Sequence, residues 1–460
     1  MAILYQHEIE EQLRFIGKKA NRPFISWSGE MDDVDPVYFF ALGQACSFRE
    51  RFYWSDRANG TVYVGLGCTY SIETEEKEQR FRIVETKWKK WMEQLAFDHH
   101  GTAATPILFG GFSFDPFKPR TEKWRAFPHA KMVVPTVLLS LKNGKATLTV
   151  TVPSMRYEES MEKIGLLLRL LSQEQKQPTA SLPTLVKYEE AQKDEWIHAV
   201  EKTIRNIREG KFDKVVLARE ARLSFADVID PVVVLQQLRE QQPFSYLFAF
   251  EQDGQCFIGA SPEQLVKKEG DACYSICLAG SIRRGKTLQE DKQLGQWLMR
   301  DEKNLREHQF VVQMIKEAMG SVCKRVQIPA SPQLLKLQHI QHLYTPVIGE
   351  KCHAASVLSI VEQMHPTPAL GGTPREKAIK EIRETEPLDR GWYAAPIGWM
   401  DAEGNGEFAV AIRSGLFQGK EAFIFAGCGV VGDSDPMSEY EETKVKLTPM
   451  LSALGVERNE

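Results

Sequence analysis

The apolar runs of this chain arrive in hairpin-like groups, and that grouping constrains its fold more than any single residue does. Thr61 to Leu66, Ile107 to Phe114 and Thr147 to Val152 read as strands bounded by turn residues. Lys214 to Leu223, Tyr246 to Glu251 and Cys256 to Ala260 form a second group; Pro396 to Met400, Phe408 to Leu416 and Ala422 to Val431 form a third. Helical periodicity at Glu76 to Leu95, Met161 to Glu174, Lys193 to Glu209, Thr287 to Met319, Ala355 to Met364 and Pro374 to Glu384 falls between the groups, and a last helix begins after Pro436. A doubly wound parallel sheet needs strand and helix to alternate one for one, so the expected class is α+β with antiparallel sheets. Polar, Pro-bearing Gln175 to Pro183 reads as a linker. It divides a sheet-rich region, 1–185, from a second region, 186–456, the two expected to build one composite fold.

Hydrophobic residues at 43%, charged residues at 26% and a formal net charge of -4 describe a globular enzyme without a basic footprint. Nucleic acid and anionic membrane are thereby excluded as expected partners, leaving a small molecule. The N-terminus, MAILYQHEIEEQLRF, mixes acidic and apolar residues, so no secretory signal is expected. No apolar run reaches the ~18 residues of a membrane span; the nearest, Met132 to Leu141, contains Pro135. A cytoplasmic protein is expected. Its eight cysteines include no C-x-x-C pair and read as buried free thiols of a reducing compartment.

Residues able to carry chemistry are scattered. Glu307, in Asn304-Leu-Arg-Glu-His308, extends the helical stripe of Val311 and Ile315 and suits either a ligand or a solvated end. Glu439, Glu442 and Lys446 share one face of the last helix. Carboxylates from two helices would suit Mg²⁺, which takes oxygen ligands and keeps waters. His339, His342, His353 and His365 match no zinc spacing. Lys214 heads an apolar strand face, as a snorkelling edge residue or a desolvated base. Glu263 stands in Ser261-Pro-Glu-Gln264, which also fits a capped helix start. Arg413 alternates with Ala409 and Ala411, small neighbours that would let a guanidinium reach a carboxylate. Gly427 and Gly429 either admit a ligand to a strand face or mark a bulge.

Together these segments resemble the chorismate-utilising enzymes, and within them the isochorismate synthases. The resemblance spans Val186 to about Leu454. It rests on Lys214-Val-Val-Leu-Ala-Arg219, Gly259-Ala-Ser-Pro-Glu263, Leu278-Ala-Gly-Ser281, Asn304-Leu-Arg-Glu-His308, His365-Pro-Thr-Pro-Ala-Leu-Gly-Gly372, Gly391-Trp-Tyr-Ala-Ala-Pro-Ile-Gly398, Phe408-Ala-Val-Ala-Ile-Arg413 and Glu439-Tyr-Glu-Glu-Thr443, in that order. The first region matches more loosely, chiefly at Phe109-Gly-Gly-Phe-Ser-Phe-Asp-Pro116.

The resemblance implies a β-sandwich core of large antiparallel sheets flanked by helices, as in anthranilate synthase component I. It implies Mg²⁺-dependent conversion of chorismate to isochorismate, with menaquinone synthesis as the expected pathway and siderophore synthesis or a salicylate synthase as alternatives. Lys214 would be the base that activates water and Glu263 the acid. Glu307, Glu442 and Glu439 would form the metal site. His342, Ala369, Tyr393, Arg413, Gly427, Gly429, Lys446, Gly280 and Ser281 would surround the substrate. Ammonia-using relatives carry glutamine where Lys214 stands, and aminodeoxychorismate synthases a lysine where Ala279 stands; no glutaminase subunit is therefore expected, and the chain is expected to be a monomer or weak homodimer. Asn304 and Ser281 depart from the usual glutamate and threonine.

Overall fold

The computed structural model describes residues 2–56, 60–98, 105–155, 157–173, 181–336, 340–352 and 355–456. It is α+β. Among these residues a 13-stranded and a 10-stranded sheet carry the fold, and every strand pair is antiparallel except Phe24–Met31 with Leu95–Asp98. In the larger sheet Leu185–Glu190, Lys214–Phe225, Glu421–Val430, Ser414–Gln418, Gln255–Ser261 and Tyr246–Gln252 follow one another. The sheet then continues through Arg51–Asp56, Thr61–Leu66, Val137–Lys142, Lys145–Pro153, Phe24–Met31 and Leu95–Asp98. The smaller sheet likewise passes from Gly406–Val410 and Pro396–Met400 into Leu108–Phe112. Strands from both sides of residue 185 thus share each sheet.

Alternation along the strands explains how the sheets stack. Phe52 and Trp54 face a core shared with Phe109, Phe250 and Trp399, while Tyr53 between them faces a second core beneath the outer helices. Phe109 sits with its ring centroid 5.9 Å from Phe52 and 6.0 Å from Phe250, tying one sheet to the other. Ala2–Ala20, Tyr157–Leu171, Pro231–Gln241 and Pro436–Ala453 lie against the larger sheet's outer face. No helix among the described residues is long and apolar enough to cross a membrane.

Four readings of local sequence are corrected. The helical run from Thr287 to Met319 is two helices, Leu288–Leu298 and Glu302–Gly320, because Asp301 breaks it and caps the second through its Oδ1, which accepts from the Asn304 backbone N–H at 2.9 Å. The strand from Phe408 to Leu416 is also two. Gly406–Val410 belongs to the smaller sheet and Ser414–Gln418 to the larger, with Arg413 at φ +51° in the crossing between them. Ser261-Pro-Glu-Gln264 starts no helix: it joins Gln255–Ser261 of the larger sheet to Gln264–Glu269 of the smaller. Finally, Cys323 and Cys352 form a disulfide, leaving six free cysteines. Residues 175–180 of the expected linker, with His339 and His353, lie outside the described residues.

Candidate active site

The two crossings run side by side, so the corner where strands change sheets brings Glu263 and Arg413 together. Their backbones are laced: the Val410 N–H donates to Glu263 O at 3.1 Å and the Ala260 N–H to Arg413 O at 3.0 Å. A carboxyl and a guanidinium are thus fixed by two sheets at once. Burial pushes the Glu263 carboxyl up to about 7, against the opposing pull of Arg413, Lys214 and Lys446. Burial also lowers Arg413 from the usual guanidinium range, with Tyr393, Glu263 and Glu442 acting in the opposite direction. Both side chains are half-buried, opening onto a crevice.

One wall of that crevice is the strand pair Lys214–Phe225 and Glu421–Val430. Its register is regular, with Val216 opposite Gly429 and Ala218 opposite Gly427, so the glycines do not mark a bulge. They leave room. A Cβ on Gly429 would stand 2.7 Å from Lys214 Cε and 3.3 Å from its Nζ. Lys214 therefore lies across the glycine, its amine ion-paired with Glu307 of the helix Glu302–Gly320. The edge of the Lys214 strand is completed by residues that sequence reasoning missed. Glu386 accepts from the Ala218 N–H at 2.7 Å, and Arg390 donates to Val216 O at 2.7 Å while pairing with Glu386. Their only local signature is acid and base four residues apart on a short segment, a spacing common on any helix.

A bulge lies in Ala272–Arg283, between Leu278 and Ser281, where Ala279 and Gly280 together face the single residue between His342 and Tyr344. Gly280 has φ +80°, and a Cβ there would meet Leu343 Cδ1 at 3.0 Å and Asn304 Cβ at 3.2 Å. Buried His308 fixes the bulge: its Nδ1 lies 2.9 Å from Ala279 O and its Nε2 2.7 Å from Thr345 Oγ1. Ser281 Oγ and His342 Nδ1 are 2.7 Å apart; burial and then Arg413 hold the His342 imidazole below its usual pKa. Tyr393 packs its ring on Phe425 at 5.2 Å, and burial raises its phenol to about 12. Ala369 sits half-buried in the loop leading to Gly372–Thr373, whose Thr373 pairs with Lys214.

The last helix supplies the remaining charges. Lys446 donates to Gly427 O at 2.9 Å and pairs with Glu442 at 2.5 Å. Glu439 accepts from Ser434 Oγ at 2.7 Å, and burial raises its carboxyl, with Ser434 lowering it and Glu442 adding to the rise. Glu307, Glu439 and Glu442 are hard oxygen donors of the kind Mg²⁺ takes. They do not converge on one point: among the described residues the one group of three potential ligands within 4.8 Å is Cys273, Cys323 and Cys352. Glu307 leans to Lys214 and Glu442 to Lys446, so each acid has a counter-ion that a cation would replace. A separate surface cleft lined by Arg80, Phe114, His365 and Arg375 contains none of the candidate residues.

A half-buried acid beside an arginine, an amine across the crevice and carboxylates at its rim suit a small anionic substrate. The chain belongs to the family described as chorismate binding enzyme, whose pattern matches residues 9–455. It is 44% identical to isochorismate synthase MenF of Bacillus subtilis (strain 168), over 94% of each chain. It is 36% identical to the salicylate biosynthesis isochorismate synthase of Pseudomonas aeruginosa, over 95% of this chain and 91% of that one. The solved structure of MenF, the menaquinone-specific isochorismate synthase of Escherichia coli, superposes with a TM-score of 0.80 at 25% identity, covering 99% of this chain and all of the other.

Proposed function

We propose that this chain is an isochorismate synthase: an isomerase that moves the hydroxyl of chorismate from C4 to C2 for menaquinone synthesis. The observation that carries this reading is the pairing of Lys214, laid over Gly429, with Glu263, held at the sheet corner with its carboxyl at about 7. Similarity to the named relatives over nearly the whole chain supports it.

In the proposed reaction a C–O bond forms at C2 as the C4–O bond breaks, and both ring double bonds shift, C1=C2 to C1=C6 and C5=C6 to C4=C5. Lys214 accepts the proton of the incoming water. Glu263 donates the proton that lets the C4 hydroxyl leave as water, so the atoms balance and no redox partner is needed. Each such proton transfer is typically worth ~10²- to 10⁴-fold. Arg413 and Tyr393 would hold the enolpyruvyl carboxylate, while Lys446, Gly427, Gly429, Gly280, Ser281, His342 and Ala369 shape the remaining walls. Glu307 and Glu442, with Glu439 beside them, would hold Mg²⁺. The ion's contribution when bound is to neutralise and orient the ring carboxylate. Water as nucleophile makes a glutaminase subunit unnecessary.

Chromatographic product analysis with chorismate, with and without Mg²⁺, tests the function. Isochorismate formed only with the metal is expected, and salicylate with pyruvate as the main products would overturn it. Lys214→Ala should keep Mg²⁺-dependent chorismate binding and form no isochorismate; substantial residual turnover would refute its role as base.

A further inference from the structure

Away from the crevice, three buried sulfurs meet where the helix Glu302–Gly320 and the strands Ala272–Arg283 and Ile340–Glu350 come together. Cys323 follows the helix, Cys352 follows the second strand, and Cys273 lies on the first. All three sulfurs are within 4.8 Å of one another. Cys323 and Cys352 are joined, and Cys273 keeps a free thiol.

The backbone is arranged to admit them. Cys273 is directly opposite Gly349 in the sheet. A Cβ on Gly349 would come within 2.6 Å of Cys323 Sγ and 3.6 Å of Cys273 Cβ, so any larger residue would occupy the space in which the sulfurs meet. Cys273 and Cys352 are 0% exposed and Cys323 is 7% exposed, which makes Cys323 the sulfur a small reagent reaches first.

We propose that Cys273, Cys323 and Cys352 form a thiol–disulfide exchange site. A low-molecular-weight disulfide is the oxidant: Cys323 attacks it and releases one thiol, then Cys352 attacks the mixed bond at Cys323 and releases the second. Two protein thiols lose their hydrogens, one S–S bond forms, and the reagent is reduced to two thiols. Cys273 supplies the alternative partner. As thiolate it attacks Cys323 Sγ, the bond to Cys352 breaks, and the electron pair and proton pass to Cys352, with no net redox change. Burial raises the Cys273 thiol to about 11, so this exchange is slow and the Cys323–Cys352 bond is the resting form. That bond spans a sequence separation of 29 residues. The helix between Glu307 and Gly320 is about 20 Å long at 1.5 Å per residue, which sets the sulfurs apart from the crevice.

Oxidation of the whole protein with oxidised glutathione, followed by alkylation and peptide mapping, tests the assignment without reading turnover. The wild type should yield a Cys323–Cys352 cross-link that phosphine reduction removes, and Cys352→Ser should yield Cys273–Cys323 instead. Reduction should lower Tm by about 3 °C for a loop of this size in a chain this long, with turnover at room temperature unchanged. Alkylation of every cysteine after oxidation would overturn the proposal, as would glutathione left on Cys323 in Cys352→Ser without a Cys273 link. Shielded thiols accompanied by stoichiometric metal in the wild-type protein would overturn it equally, by making the trio a metal site.

Discussion

Glu263 immediately precedes the strand Gln264–Glu269, Glu407 lies on the strand paired with it, and burial raises each carboxyl to about 7. Their surroundings differ. Glu407 is 2% exposed and accepts from Tyr246 OH at 2.9 Å and Gln264 Nε2 at 2.8 Å, neutral donors that satisfy it in place. Glu263 has no side-chain hydrogen bond among the described residues, faces three cations and opens to the crevice. A raised pKa alone therefore does not distinguish structural from chemical carboxyls. The distinguishing feature is whether fixed neighbours already use the proton or leave it free to be delivered.

Paired substitutions would break this comparison if it is wrong. Glu263→Gln should lower kcat by ~10²- to 10⁴-fold, whereas Glu407→Gln, whose amide can still accept from Tyr246, should keep turnover within a few-fold. Similar losses in both would mean that position in the corner, and not proton delivery, matters. Stability should move the other way. Because the folded carboxyl titrates near 7 and the unfolded one near 4.5, the folded state binds more protons between these values and loses stability as pH rises through that window. Glu263→Gln removes that loss. It should gain on wild type by about 1–3 kcal/mol from pH 4.5 to 8, after discounting for partial exposure, as measured by urea unfolding.

The contrast also explains what the sequence could reveal. The antiparallel class was legible because the apolar runs arrive in hairpin-like groups rather than alternating one for one with helices. That grouping could not reveal the corner. Ala409, Ala411 and Arg413 keep perfect alternation through a point where the chain leaves one sheet for another, and a positive φ at arginine has no local signature. For the same reason the bulge that Gly427 and Gly429 could have marked is a regular ladder, while Ala279 and Gly280, quoted within a motif, carry a bulge that no local pattern announced. Glu263, Lys214 and Glu307 were identifiable only as members of widely spaced motifs, since their neighbours in space come from segments as far as 215 residues away, as Gly429 is from Lys214. The disulfide was invisible because the spacing of Cys323 and Cys352 matches no motif.

Gly429→Ala sharpens the comparison from the other side of the crevice. Its added methyl would displace Lys214 by about 1 Å, and a misplacement of that size can cost ~10²-fold in rate. Gly427→Ala is the control, because its Cβ would stand 3.2 Å from Leu217 O and would not meet the lysine. It should cost clearly less in kcat at similar Tm. Equal losses would show that the glycines serve substrate access and not the lysine's path.

The smallest expected effect concerns the rim. Ser434 donates to Glu439, a carboxyl already raised by burial and by Glu442. Removing that donor in Ser434→Ala raises the carboxyl further, so protonation competes more strongly with a divalent cation as pH falls. Partners that orient metal-binding carboxylates are typically worth 10- to 100-fold in affinity; for this half-buried one about tenfold is expected. The Mg²⁺ concentration for half-maximal rate should rise by up to that factor, and by more at pH 6.5 than at pH 8. A shift of equal size at both pH values would mean that Ser434 positions Glu439 and does not set its charge.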